Sequence, residues 1–468
     1  MNSDYESSDN EEQEDESSVQ FLPPSTLESE MKEMIADVQS VLEIKTGVCR
    51  ILLHKYKWNK DSLFDKFYEH PDTTAFLIDA QVIPKHSPTP FPAVPNIPQE
   101  CEICCELTEK LSGLACNHKA CFDCWKSYLT EKIVEGRQCE IECMDSNCKL
   151  LIEDEKVMCY ITDSTVMAMY ERLTINSYVA ANQYLKWCPG VDCGLAVKTT
   201  STEPTLITCP CGANFCFACC QDWHEPINCH LLKKWQKRCS DDAETFNWIL
   251  AHTKECPKCQ VIIEKNGGCN HMTCRNRSCN YQFCWLCMGS WSGHASAGCN
   301  SFEDEKSALR QKSRVSLDRY LFYYHRHEGH RQSLLLEKNL QEKIAVKMED
   351  LQKIGRITWV EVKFLEQAVQ VLSTCRRTLM NTYAFAFYLK RDNHAVIFEA
   401  NQRDLEMATE TLSGFLEQEV EFHNDFHSLK LSILDKTRYV EHRRQVLLKH
   451  CAEGYEQNIW KFDETAAY

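Results

Sequence analysis

Hydrophobic spacing along the chain predicts helices at both ends, with a cysteine-rich block between them. Within residues 27–80, the stretch "VCRILLHKYKWNKDSLFDKFYEH" sets Ile51, Leu52, Tyr56, Leu63 and Phe64 at helical intervals, which predicts a small helical module. From residue 303 onward the helical pattern is long. "FLEQAVQVLSTCRRTLMNTYAFAFYL" puts Leu365, Val369, Leu372, Leu379 and Tyr383 on one face, and 405–416 and 444–460 repeat the habit. No proline follows Pro257 and four glycines follow residue 300, so 303–468 is expected to be an all-α bundle of about four or five helices. No apolar run approaches the roughly 20 residues of a membrane helix, and no signal-peptide pattern opens the sequence. Cytosol or nucleus is the expected compartment, and no membrane partner is expected.

Charge changes the picture at two places. The formal balance is 52 − 68 = −16, and eight of the acids fall in the first 20 residues without a base among them. Residues 1–26 are therefore expected to be an acidic, disordered tail. An acidic chain without interleaved basic and aromatic patches argues against nucleic acid as a partner. Residues 84–98, "PKHSPTPFPAVPNIP", hold six prolines and predict a stiff, extended linker over 81–98.

Cysteine carries the chemistry. Of 30 cysteines, 27 lie between Cys101 and Cys299. In a reducing compartment such density points to metal rather than disulfides. Zinc takes four tetrahedral ligands, mostly thiolate and imidazole, often in close pairs. Cys101, Cys104, Cys116, His118, Cys121, Cys124, Cys143 and Cys148 have the spacing of an interleaved RING, with pairs one and three on one metal and two and four on the other. Cys188, Cys193, Cys209, Cys211, Cys216, Cys219, His224 and Cys229 form a second set. Cys256, Cys259, Cys274, Cys279, Cys284, Cys287, His294 and Cys299 form a third. Three sets of eight predict six zinc ions, and the fold class is a multidomain α chain with small zinc-stabilised modules.

Nine cysteines are left over: Cys49, Cys105, Cys139, Cys159, Cys220, Cys239, Cys269, Cys375 and Cys451. Cys375 and Cys451 sit in helical patterns and read as buried hydrophobes. Cys105, Cys139 and Cys220 adjoin ligands, and inert filler and misassigned ligands are both open for them. Cys269, in "EKNGGCNHMTC", follows two glycines and precedes His271 by two residues. In an extended segment residues two apart share a face, so an imidazole can lower the thiol's pKa in one step and act as general base in another. Spacing leaves two alternatives open: Cys269 or His271 is a zinc ligand in place of Cys274 or Cys279, or Cys269 is filler.

These zinc modules, with a spare cysteine in the third, resemble the RING-in-between-RING ubiquitin ligases. "KECPKCQVIIEKNGGCNHMTC" is similar to that family's catalytic segment, and "LMNTYAFAFYLKRDNHAVIFEANQ" extends the likeness to the ariadne subfamily over roughly residues 27–460. The resemblance implies a ubiquitin-associated-like module (27–80), a first RING (99–150), an in-between-RING zinc domain (165–229), a helical linker (230–252), a catalytic second RING (253–300) and an autoinhibitory ariadne bundle (303–468). It implies that the first RING receives a ubiquitin-conjugating enzyme at Ile103 and that ubiquitin passes to Cys269 as a thioester. His271 then assists attack by a substrate lysine. Phe398 and Glu399 match a pair that contacts the catalytic domain. The first helical module would recognise cullin-RING complexes carrying a ubiquitin-like modifier, with Trp58 and Leu63 in its core or on its contact face. Lys233, Lys234, Lys237 and Arg238 would lie on a solvated face or help hold the incoming ubiquitin. One departure is Gln282, where family members often carry a carboxylate. Two other readings stay open, a scaffold ligase without a thioester and a non-enzymatic zinc interaction protein.

Overall fold

The structure is a computed structural model that describes residues 19–85, 98–136, 139–241, 253–265, 269–276, 278–292, 294, 299–300, 312–353, 359–418 and 426–463. Most of the proline linker, residues 242–252 of the helical linker, and Gly267 and Gly268 lie outside this set. The chain falls into two compact units, Met1–Cys220 and Gln221–Tyr468. Among the described residues no helix is long and apolar enough to cross a membrane.

The first unit opens with a strand, β1 (Gln20–Leu22), and four helices: α1 (Pro24–Leu42), α2 (Thr46–Lys55), α3 (Lys60–Glu69) and α4 (Thr73–Asp79). The expectation of a disordered tail through residue 26 is therefore corrected: 20–22 form a strand, and α1 starts with proline in its first turn, where a missing N–H costs nothing. The apolar positions explain the order, because Leu22 and Leu27 are buried with Val38, Leu52 and Leu63 in one core. Trp58 joins it edge-on to Tyr178, with ring centroids 4.6 Å apart. Trp58 and Leu63 are thus core residues, not a contact face.

Short hairpins follow. β2 (Gln99–Glu100) pairs with β3 (Leu107–Thr108), and β4 (Ser112–Gly113) pairs with β5 (Lys119–Ala120). Helix α5 (Phe122–Glu135) begins at Cys121, whose sulfur accepts the Cys124 N–H, and stops at Gly136 with φ 65°. Its buried stripe of Trp125, Leu129 and Ile133 supplies the core that so small a module otherwise lacks. Next come α6 (Asp154–Tyr160) and α7 (Ser164–Ala181), then β6 (Leu185–Trp187), β7 (Ala196–Lys198), β8 (Leu206–Thr208) and β9 (Asn214–Cys216). The sheet order β1-β7-β6 ties the opening strand to this module. The buried Arg50 guanidinium on α2 donates to Asp154 (2.6 Å), Glu140 (3.3 Å) and the Cys139 sulfur (3.5 Å). Cys139, one of the leftovers, is thus accounted for as a packing partner of Arg50.

The second unit holds α8 (Cys229–Asp241), the hairpin β10 (Thr253–Glu255) with β11 (Ile262–Glu264), and the hairpin β12 (His271–Thr273) with β13 (Gln282–Cys284). Four long helices follow among the described residues: α9 (Lys312–Lys353), α10 (Trp359–Tyr388), α11 (Asn393–Glu417) and α12 (Phe426–Glu456). Leu365, Val369, Leu372, Leu379 and Tyr383 all face the bundle core, as their spacing predicts. Helix α8 belongs to that core through Leu231, Leu232 and Trp235. On its other face Lys233 and Lys237 are exposed, while the Arg238 guanidinium lies 4.6 Å from the Tyr320 ring centre.

Candidate functional site

The zinc-ligand candidates gather into compact groups of four. Cys101, Cys104, Cys121 and Cys124 form one, and Cys116, His118, Cys143 and Cys148 another; these are the first with the third pair and the second with the fourth. The later modules use consecutive pairs instead: Cys188 and Cys193 with Cys209 and Cys211, Cys216 and Cys219 with His224 and Cys229, and Cys256 and Cys259 with Cys274 and Cys279. The ligand atoms of each group lie within 4.8 Å of one another. Cys287 meets His294 at 3.4 Å, Cys284 interacts with His294, and Cys299 interacts with Cys284 and Cys287. Neighbouring sulfurs stand 3.6–3.9 Å apart. A tetrahedron with zinc–sulfur bonds of about 2.3 Å has an edge of about 3.8 Å, so the donor sets fit zinc in chemistry and size.

A repeated turn explains two more leftover cysteines. After the second cysteine of a knuckle the chain turns left-handed: Cys105, Cys220, Gln260 and Met288 have φ of 58°, 57°, 59° and 60°. Each donates its N–H to the carbonyl of the first knuckle cysteine, at 2.8–2.9 Å. Cys105 and Cys220 occupy this turn position, outside the groups of four.

Cys269 and His271 stand outside the metal groups, because Cys256, Cys259, Cys274 and Cys279 close a set without them. Strand β12 carries His271 opposite Cys284, and the Trp285 N–H donates to the Asn270 carbonyl at 2.8 Å, which anchors the segment before it. The His271 backbone N–H donates to Cys269 Sγ at 3.4 Å. The His271 ring stacks on Trp291, centroids 4.1 Å apart, and its Nε2 meets Gln282 Oε1 at 3.2 Å. With that oxygen accepting, Nε2 carries the proton and Nδ1 is the basic nitrogen. Burial lowers the His271 pKa, opposed by the Gln282 hydrogen bond, so the neutral ring is favoured.

Helix α11 covers the thiol. Cys269 is 9% exposed, and its Sγ points to the Glu410 carbonyl at 3.7 Å. The Cys269 N–H donates to Glu417 Oε1 (3.2 Å); the Asn270 N–H donates to Glu410 Oε2 (2.5 Å) and its side-chain amide to Glu410 Oε1 (2.9 Å). Beneath, Arg376 binds Glu410 (2.8 Å), Glu337 (2.5 Å) and Ser413 (2.9 Å). Lys265 donates to Asn270 Oδ1 (2.8 Å) and to Ser333 Oγ (2.7 Å) on α9. Burial pushes the Cys269 thiol well above its ordinary value, and Glu410 adds to the rise. Glu410 is itself held at about 2, because Arg376 foremost overcomes the cost of burial.

The hairpins around Cys269 also rest on α9 and α11 elsewhere. Leu286 occupies the space over Gly329, where an added Cβ would overlap its Cδ2. Asn300 Nδ2 donates to the Glu399 carbonyl (2.5 Å), and Arg326 donates to the Cys299 carbonyl (2.7 Å). Of the two residues expected to hold this contact, Glu399 touches Asn300 through its backbone. Phe398 does not take the expected place: it is buried inside the bundle against Phe385 and Trp460, at centroid distances of 5.1 and 6.2 Å. Glu410, Glu417, Arg376, Lys265 and Gly329 escaped the sequence reading. The available signal was Gln402, Glu406, Thr409, Glu410, Ser413 and Glu417, polar residues at three- and four-residue spacing that line one side of α11. Ile103 is 61% exposed on the first RING, free of the core.

Comparison with known proteins accords with this arrangement. Family models match residues 29–69 (the UBA-like domain of E3 ubiquitin-protein ligase ARIH1), 168–229 (IBR domain, a half RING-finger domain), 251–301 (IBR domain) and 318–443 (Ariadne domain). The chain is 60% identical to the E3 ubiquitin-protein ligase ari-1.1 of Caenorhabditis elegans, over 95% of this chain and 90% of that protein. It is 44% identical to the E3 ubiquitin-protein ligase ariadne-1 of Drosophila melanogaster, over 98% and 93%. It is 44% identical to the E3 ubiquitin-protein ligase ARIH1 of Homo sapiens, over 97% and 83%.

Proposed function

Because the chain belongs to the ariadne family of RING-in-between-RING E3 ubiquitin-protein ligases, we propose that Cys269 accepts ubiquitin as a thioester and passes it to a substrate lysine. The observation that carries this reading is that Cys269 is spared by a complete zinc set while the His271 N–H donates to its sulfur. The first RING, with Ile103 exposed, receives the charged conjugating enzyme. The Cys269 thiolate attacks the thioester carbonyl and expels the conjugating enzyme's thiolate. In the second step the lysine amine attacks, loses its proton to His271 Nδ1, and expels Cys269. Thiol exchange between thioesters is nearly isoenergetic and needs chiefly position, whereas aminolysis gains typically 10²–10⁴-fold from a placed base.

Six zinc ions hold the three modules, with the ligands as grouped above. The closed arrangement is an autoinhibited state, since α11 covers the nucleophile and burial opposes its ionisation. The UBA-like module is the element suited to recognising cullin-RING complexes that carry a ubiquitin-like modifier, which would favour the open state.

Gly329→Leu provides the test. It fills the space of Leu286 while improving helix propensity in α9, so the bundle stays folded and undocks from the catalytic hairpins. With a conjugating enzyme that does not discharge onto lysine, the full chain should form a reductant-labile ubiquitin adduct, at least about tenfold faster in Gly329→Leu. Cys269→Ser should give an adduct that survives reductant and yields to alkali. His271→Ala should charge normally and discharge slowly. A folded, zinc-loaded Gly329→Leu chain that forms no adduct would leave only scaffold activity.

A further inference from the structure

Around Cys269 the chain offers more hydrogen-bond donors than a thiol requires. Three of them, the Cys269 N–H, the Asn270 N–H and the Asn270 side-chain amide, end on carboxylate oxygens of α11. The orientation of the amide is set from behind: Lys265 Nζ, a pure donor, takes Oδ1 and turns Nδ2 toward Glu410. Asn270 is 1% exposed, so this grip is built into the interior. It is an anionic-oxygen site one residue from the nucleophile, filled by carboxylates contributed from a separate helix. When α11 leaves, three donors are freed beside the reacting sulfur. Unpaired donors in so confined a place carry a cost unless a ligand meets them.

We propose that Asn270 is a further catalytic residue. With the Cys269 N–H, its two donors receive the oxyanion that forms when a ubiquitin thioester is attacked, and Glu410 and Glu417 occupy those donors in the closed state. The assignment rests on Cys269 being the nucleophile. The electron count is the same in both steps. As sulfur or the lysine nitrogen bonds to the carbonyl carbon, the carbonyl π pair moves onto oxygen; as it returns, the leaving thiolate departs with the pair of the broken C–S bond. In lysine transfer the amine also gives up a proton. The carbonyl oxygen thus becomes an anion twice per cycle, each time within reach of the same donors. A nucleophile's own N–H joined by an asparagine amide is a donor set known to stabilise such charge in acyl transfer. Carboxylates in the same place imitate the intermediate, so the helix competes with catalysis for the donors as well as blocking the thiol.

The role separates from His271. An oxyanion donor acts in both charging and discharge, and a base for the amine acts in discharge alone. The experiment uses the full chain opened by Gly329→Leu, with iodoacetamide labelling of Cys269 to verify opening. Glu417→Arg, at an exposed position, supplies a second opened chain. In each background, Asn270→Ala and the near-isosteric Asn270→Asp are compared with Asn270 for single-turnover charging and for discharge to free lysine. Removing one such donor should slow both steps about 10²-fold, with zinc content and melting temperature unchanged. Asn270→Ala that leaves both rates of the opened chains intact, and speeds charging of the otherwise native chain, would mean that Asn270 only latches α11, and the proposal falls. An opened chain that forms no Cys269 adduct even with Asn270 present overturns the nucleophile reading itself. Slow discharge with normal charging would place Asn270 with His271 and also reject the oxyanion role.

Discussion

At the scale of single residues, packing alone opposes the ionisation of one thiol. Cys269 is buried against a helix carrying Glu410, and both burial and that carboxylate raise its pKa. A thiol whose pKa is raised by docking contributes stability to the docked form that is present below its ordinary pKa, about 8.5, and is lost as pH climbs through and beyond it. Alkaline pH therefore favours undocking. Iodoacetamide labelling of Cys269 in the native chain should need a higher pH than an ordinary thiol, and Gly329→Leu should return the midpoint to the ordinary range. Equal midpoints in the two chains would remove the electrostatic part of the explanation.

Among elements, the decisive junction is α9, α10 and α11 meeting at Arg376. Its guanidinium is fully buried between Glu337 and Glu410, and each of those carboxylates is nearly as buried. Removing one member of such a group strands charge in the interior. Arg376→Ala should cost about 3–5 kcal/mol of bundle stability, read from the urea midpoint. The triple change Arg376→Met, Glu337→Gln and Glu410→Gln removes all the charges together and should be close to neutral in stability, yet it should release the segment that holds Cys269. A single Arg376→Ala change costing well under 1 kcal/mol would show that the ion group is solvated after all. Helix α11 thus does two things with two sides: Leu405, Leu412 and Leu416 bind it to the bundle, and on its polar side Glu410 and Glu417 reach the segment that holds Cys269.

Across the whole molecule, metal and hydrocarbon divide the stabilisation. The zinc modules have small cores of their own, such as Phe283, Trp285 and Leu286 beside their cysteines, whereas the bundle buries a long continuous apolar cluster. A structural zinc site supplies apparent binding free energy on the order of 10–16 kcal/mol, and small modules depend on it to fold. A strong chelator should therefore shift tryptophan emission to the red, through Trp125 and Trp285, while much of the helical circular dichroism remains. Cys101→Ala and Cys256→Ala should each unfold their own module, and Cys269→Ser should leave melting unchanged. Loss of zinc from the Cys269→Ser chain would return Cys269 to the ligand set.

Much of this was open to reading along the chain. The bundle's apolar face was legible because Leu365 through Tyr383 repeat at helical intervals, and burial follows that period. The zinc groups were legible because their ligands come in pairs a few residues apart, and a knuckle turn brings such pairs onto one ion whatever surrounds it. The strand at Gln20–Leu22 was hidden by its acidic neighbours, since its partner at Ala196–Lys198 is remote in sequence. Phe398 was misplaced for a related reason: a helix has several faces, and only packing decided that this one meets Phe385 and Trp460. The chain by itself determined the modules, the ligands and the spare cysteine beside His271, because local spacing suffices for each. Only the tertiary structure decided that Glu410 and Glu417 close over Cys269 and Asn270, because residues some 140 positions apart meet through the docking of a helix, which local periodicity does not encode.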